Sequence, residues 1–285
     1  MSGLRSFLFV PADSERKLAK AAEAGADVLL LDLEDSVGAE RKPAARAMAA
    51  EWLAAAGRPA AFVRVNAFDT GLTFLDLAAI MAARPDGIML PKCAGAADVQ
   101  RLAAALDALE AREGIANGAT RIMPIATETA GALFTLGQYA GASPRLAALT
   151  WGAEDLAAAV GARANKHEGR YDDLFRMARA LCLAGAASAD VAAIDTVYPD
   201  FRDEAGFARE CADARRMGFV GKMAIHPAQV SAINEAFTPT EAERAHAQAI
   251  VDAFAKAPGA GVVSLDGRMV DRPHLVAARQ VLGLS

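Results

Sequence analysis

The stretch ADVLLLDLEDSV, residues 26–37, runs four large apolar residues, Val28 to Leu31, straight into Asp32, Glu34 and Asp35. It lacks the in-out alternation of a half-solvated strand. An apolar run of this kind reads as a strand buried on both faces, which is how parallel strands sit when helices cover them. The same form recurs at fairly even spacing: SFLFVP (6–11), VLLLDLE (28–34), AFVRVN (61–66), GIMLPK (87–92), RIMPIAT (121–127), LAALTWG (146–152), VAAIDTV (191–197) and KMAIHP (222–227). Between these runs lie amphipathic segments such as SERKLAKAAEAG and AADVQRLAAALDALEARE, whose apolar residues return three and four positions apart. Eight βα units predict an α/β fold, a TIM (β/α)8 barrel over residues 1–236. The rival, an open doubly wound sheet, carries a glycine fingerprint after its first strand. Here that turn reads VPADSERK.

Beyond the eighth unit the chain continues as a C-terminal extension, residues 237–285. It contains a helical stretch over about 240–257, a Gly-rich segment PGAGVVSLDGRMVDRP that reads as a short hairpin, and a last helix. The 285 residues, 54% of them hydrophobic, are enough for a substantial core, and the net charge of -5 is spread among interspersed acids and bases. That pattern argues against a nucleic-acid partner or a membrane anchor and favours small-molecule partners. Cys93, Cys182 and Cys211 are scattered without CxxC spacing, and the N-terminal apolar run is too short for a signal peptide. A cytoplasmic protein is expected.

In a TIM barrel the reactive groups gather where the strands end. Strand by strand that rule selects Asp32, Glu34 and Asp35, then Arg64 and Asn66, Lys92, Glu128, Glu154 and Asp155, and Asp195. Carboxylates converging on one rim repel unless a cation sits among them. Magnesium suits oxygen-only ligation by one or two carboxylates, with Mn2+ as its substitute, and Glu128 with Asp155 makes the natural pair. Zinc is disfavoured, because His167, His226, His246 and His274 show no ligand spacing. Arg64 would grip an anionic substrate. Competing readings stand beside these: an acid just past a strand also caps the next helix, Arg64 can equally pair with a neighbouring acid, Lys92 reads as structural or peripheral, and His226 reads as ordering a turn.

The segments RSFLFVPAD, LLLDLEDSV, VRVNAFDT, MLPKCAGAADV, IATETAGAL, WGAEDLAA, AIDTVYPDFRDEAGF, GFVGKMAIHPAQV and VVSLDGRMVDRP together resemble the citrate lyase β-subunit and malyl-CoA lyase family of the HpcH/HpaI aldolase superfamily, from about residue 5 to 280. One departure is mild: the first-strand motif commonly continues VPG, and here it is VPA. The resemblance implies a Mg2+-dependent lyase that cleaves or forms a carbon-carbon bond in a 3-hydroxyacyl-CoA thioester such as malyl-CoA or citramalyl-CoA, giving a 2-oxoacid and acetyl-CoA. It implies metal ligation by Glu128 and Asp155, with Glu34 and Asp35 behind them through water, and substrate binding and catalysis by Arg64. It also implies that Asp271 is a catalytic acid or base in an extension that covers the active site of a neighbouring subunit of a homotrimer or other homo-oligomer. A (3S)-malyl-CoA thioesterase and a citrate lyase β-subunit serving a carrier-bound citryl thioester are the alternatives. The sequence carries no readable carrier-protein signature.

Overall fold

A computed structural model of the chain describes residues 3–284. Among the described residues twelve strands are formed: β1 (Ser6–Pro11), β2 (Val28–Asp32), β3 (Ala60–Arg64), β4 (Gly87–Leu90), β5 (Arg121–Pro124), β6 (Ala148–Thr150), β7 (Lys166–His167), β8 (Arg170–Tyr171), β9 (Ala192–Asp195), β10 (Gly221–Ala224), β11 (Val262–Leu265) and β12 (Arg268–Asp271). The helices are α1 (Glu15–Ala22), α2 (Lys42–Ala54), α3 (Thr73–Ile80), α4 (Ala96–Glu113), α5 (Ala153–Val160), α6 (Asp173–Ser188), α7 (Glu204–Met217), α8 (Ala228–Phe237), α9 (Glu241–Ala255) and α10 (Arg272–Leu282).

Eight strands pair in parallel in the order β5-β4-β3-β2-β1-β10-β9-β6. The seam between β5 and β6 is bridged by Ile122 N–H to Arg145 O at 2.9 Å, Ala147 N–H to Ile122 O at 2.9 Å and Ala126 N–H to Thr150 O at 2.8 Å. The sheet is thus a nearly closed barrel, and the eight strands read from the sequence are all present, although β5 is followed by two short 3-10 segments, Gly131–Phe134 and Leu136–Gln138, in place of the helix that a βα unit predicts. Every second residue points inward. Phe7, Val28, Leu30, Phe62, Met89, Met123, Ile125, Ala148, Ile194 and Met223 fill the interior. Gly87 opens room for the Phe62 ring, because a Cβ there would stand 2.4 Å from it. The intervening residues, such as Leu29, Leu31, Val63 and Ile88, are buried on the outer wall. A strand packed on both sides is apolar throughout.

The chain divides into two compact units, Gly3–Glu235 and the segment from Ala236 onward. In the second unit α9 opens with a capping box, in which the Thr240 hydroxyl accepts from Glu243 N–H and Glu243 accepts in return from Thr240 N–H. β11 and β12 form an antiparallel hairpin turned at Asp266-Gly267, both at positive φ. Ala247, Ile250, Phe254, Val270 and Ala278 make this unit's own small core. The hairpin β7–β8, by contrast, has no counterpart in the sequence reading. Among the described residues no helix is long and apolar enough to cross a membrane.

Candidate active site

Inward parity carries Asp32 and Arg64, the last residues of β2 and β3, to the carboxyl-terminal mouth of the barrel. They are register partners, and Arg64 donates from Nε to Asp32 Oδ1 and from Nη2 to Asp32 Oδ2, both at 2.7 Å. Asp32 also accepts from the backbone N–H groups of Glu34 and Ser36, so its carboxylate is fixed from both sides. Burial works against the charged guanidinium, but Asp32 outweighs it and the Arg64 pKa is raised. Arg64 packs over the Phe9 ring, 4.8 Å from its centroid, and points Nη1 at Glu34 Oε2, 3.1 Å away.

Glu128 lies just past β5 and is 4% exposed, which leaves its charge with almost no solvent. Its Oε2 accepts from Lys92 N–H at 2.5 Å. Desolvation, then the nearby Asp155 charge, push its carboxyl up to about 8. Asp155 sits in the first turn of α5, where a negative charge meets the positive end of the helix dipole. The helix-cap reading fails for both acids of this turn. Gly152 is the N-cap without a side-chain bond, and Glu154 instead accepts from Asn165 Nδ2 at 2.7 Å. Gly152 has an ordinary extended backbone; what requires glycine there is proximity, since a Cβ would lie 2.7 Å from Glu128 Cγ.

Lys92 binds these groups together. Its ammonium donates to Glu34 Oε1 at 2.6 Å and lies 3.4 Å from Asp155 Oδ1 and 3.7 Å from Asp35 Oδ2. The peripheral reading of this lysine is therefore corrected. Asp195 is corrected in the opposite direction. Ile194 faces the barrel interior, so Asp195 faces the outer wall, where it accepts from Lys222, Arg179 and Trp151 and is fully buried. Asn66 likewise belongs to a structural set, donating to Asp76 and accepting from Lys42. His226 stacks on Phe201 and accepts from Ala228 N–H, ordering the turn before α8. Glu34, Asp35, Arg64, Glu128 and Asp155 thus share one mouth, with Asp32, Lys92 and Gly152 supporting them. Asp271 lies in the second unit, at the N-cap of α10, paired with His274, which holds its carboxyl below the usual range.

The donors at this mouth are oxygens. Among the described residues no cluster of three or more His, Cys, Asp and Glu forms a cage. What is present is a carboxylate pair, Glu128 and Asp155, in which desolvation and the neighbouring charge disfavour ionisation of the buried member, and a buried Glu34 whose Oε2 meets Arg64 Nη1 as an ion pair at 3.1 Å without a hydrogen bond. Such a set fits a hard divalent ion that keeps waters of its own.

Residues 5–227 match the HpcH/HpaI aldolase/citrate lyase family. The chain belongs to that family. Within it the chain is 38% identical to a (3S)-malyl-CoA thioesterase of Cereibacter sphaeroides over 98% of this chain and 93% of the relative. It is 35% identical to an L-malyl-CoA/beta-methylmalyl-CoA lyase of Rhodobacter capsulatus over 94% and 90%. Among solved structures of the family it is similar to the protein CitE of Mycobacterium tuberculosis in complex with magnesium, acetoacetate and coenzyme A, with a TM-score of 0.80, 32% identity, and 98% and 97% of the two chains covered.

Proposed function

We propose that this family member is a Mg2+-dependent carbon-carbon lyase, cleaving a 3-hydroxyacyl-CoA thioester such as malyl-CoA or citramalyl-CoA to a 2-oxoacid and acetyl-CoA, or running the reverse condensation. The observation that carries the reading is Arg64, locked on Asp32 beside the Glu128–Asp155 pair at the barrel mouth. Glu128 and Asp155 would hold Mg2+ or Mn2+, which when bound supplies Lewis-acid polarisation of a substrate oxygen. Arg64 binds the carboxylate or carbonyl end of the substrate with the N–H groups that Asp32 leaves free. As the 3-hydroxyl releases its proton to solvent and becomes the carbonyl of the 2-oxoacid, the carbon-carbon bond breaks and its electron pair passes to the thioester enolate, so no organic cofactor is needed. Asp271 gives the acetyl carbon its proton in cleavage and removes it in condensation. The pairing with His274 favours its carboxylate, the form that serves as base.

The second unit, in this proposal, covers the mouth of a neighbouring copy in a homotrimer or other homo-oligomer. Three buried free cysteines support a reducing, cytoplasmic setting. The 38% identity to a (3S)-malyl-CoA thioesterase keeps that activity as a second reading, in which water attacks the thioester. One experiment separates the readings: the purified chain alone is given malyl-, citramalyl-, citryl- and methylmalyl-CoA, with separate detection of 2-oxoacid, acyl-CoA and free CoA. The lyase gives 2-oxoacid and acyl-CoA in equal amounts, lost on chelation and in Glu128→Ala or Asp155→Ala. Free CoA without 2-oxoacid establishes the thioesterase. Silence toward every free thioester, with turnover only on a carrier-bound one, establishes the citrate lyase β-subunit role.

A further inference from the structure

Lys92 has no part in the chemistry above, yet its placement is costly. It follows β4 at φ +50°, in the left-handed region that a side chain with a Cβ rarely adopts. That turn aims two groups at once. The backbone N–H donates to Glu128 at 2.5 Å, and the ammonium reaches Glu34 at 2.6 Å, Asp155 at 3.4 Å and Asp35 at 3.7 Å. Acids from the turns after β2 and β5 and from the first turn of α5 are thereby gathered on a single residue. The three side-chain contacts are unequal. Glu34 takes a hydrogen bond, whereas Asp155 is held by charge alone.

We infer that Lys92 is a tethered counter-cation of the divalent-ion site: it keeps the acids assembled before an ion arrives, and its hold on Asp155 is the contact that an ion displaces. The inference rests on the reading of Glu128 and Asp155 as the ion's holders. Two cations sharing the same carboxylates compete, and each weakens the other's binding by the same factor. For unit charges about 4 Å apart at an effective dielectric near 20 that factor is on the order of a thousandfold before screening, and with the Lys92 side chain 31% exposed to solvent at least about tenfold remains. Removing the ammonium while keeping the stem therefore has two effects of opposite sign. The ion-free protein loses stability, because acids gathered around the ammonium lose their counter-charge. The ion itself binds more tightly, because its competitor is gone. A lysine that merely packs would give the first effect without the second.

The test uses the full chain as wild type, Lys92→Met, Lys92→Arg and Asp155→Ala, with Mg2+ titrated by calorimetry and thermal melting followed with chelator and with saturating Mg2+. Lys92→Met is expected to bind Mg2+ at least about tenfold more tightly than wild type. It should melt lower in chelator, with the gap narrowing as Mg2+ saturates. Lys92→Arg keeps the charge and should restore wild-type behaviour in both measurements. Should Lys92→Met be unfolded in chelator, recovery of the fold by Mg2+ is the same result in its strongest form, and failure to recover overturns the inference. Unchanged or weaker Mg2+ binding by Lys92→Met, with wild type binding and Asp155→Ala not binding, overturns this inference and leaves the metal pair standing. Wild type that takes up no Mg2+ overturns both.

Discussion

Gly152 decides at the residue scale whether Glu128 can stand where it does. Its φ of -118° and ψ of 115° suit any residue, so an alanine would meet no backbone strain. The obstacle is the side chain across from it, since the new Cβ would sit 2.7 Å from Glu128 Cγ. Glu128 is 4% exposed and anchored to Lys92 N–H, so it cannot swing aside and keep its position. Gly152→Ala is therefore expected to weaken Mg2+ binding and to lower kcat/KM by about tenfold or more, for an overpacking cost of ~1–3 kcal/mol. Calorimetric titration beside a melting curve checks this; an unchanged Mg2+ affinity would sink it. Glu128 and Arg64 could be placed at the mouth from the sequence because each follows an apolar run, but that rule alone does not assign a role: Asp195 obeys it too and is buried in the outer wall, and Arg64 does pair with the neighbouring acid Asp32. Gly152 was not legible in the sequence, and Lys92 stands at a strand end but reads as structural or peripheral. One acts through a contact made by a residue twenty-four positions away, the other through a left-handed turn, and neither leaves a periodic signal.

At the scale of elements, the barrel's weakest seam is reinforced by one carboxylate. Glu110, in the last turn of α4, accepts from Thr120 N–H and Gly118 N–H at 2.8 Å each, just before β5. It also takes both terminal nitrogens of Arg145, the residue whose carbonyl receives Ile122 N–H across the β5–β6 gap. Burial alone would push the Glu110 carboxyl up, but Arg145 and the two backbone donors hold it down at about 2. A depressed folded-state value means that the stabilisation is fully present above the unfolded-state value of roughly 4.3, and is lost as pH falls from there toward 2. Glu110→Gln should lower the urea midpoint at pH 7 and flatten the further fall between pH 7 and pH 3. Parallel losses in wild type and variant would show that other acids govern this range. The eight barrel strands themselves were legible because most are nearly continuous in apolar residues, with buried charges such as Lys222 as exceptions. Strand parity was the missing step for Asp195, since its neighbour Ile194 already occupies the interior. The β7–β8 hairpin, two residues to a strand and built of Lys166, His167, Arg170 and Tyr171, has too few apolar residues to show any period.

For the whole molecule, the two units pose one question: whose Asp271 serves whose barrel. The elements of the second unit were readable locally, from the helical stretch that becomes α9 and the Gly-rich segment that becomes the hairpin. The role of Asp271 was not, because the residue caps α10 and pairs with His274, features that a surface hairpin would share. Only the family resemblance singles it out. A shared site makes a sharp genetic prediction. Glu128→Ala chains and Asp271→Ala chains, each inactive as a homo-oligomer, are coexpressed with different tags and the mixed oligomers isolated. If Asp271 acts across an interface, a barrel with intact Glu128 can receive an intact Asp271 from the adjoining chain. In a homotrimer each isolated mixed oligomer then regains about one competent site in three. If Asp271 acts within its own chain, every site in the mixture lacks one of the two groups and activity stays at the level of the parents. Mixed oligomers with no recovered turnover would therefore remove the shared site, while a fully active Asp271→Ala homo-oligomer would remove Asp271 from the chemistry altogether.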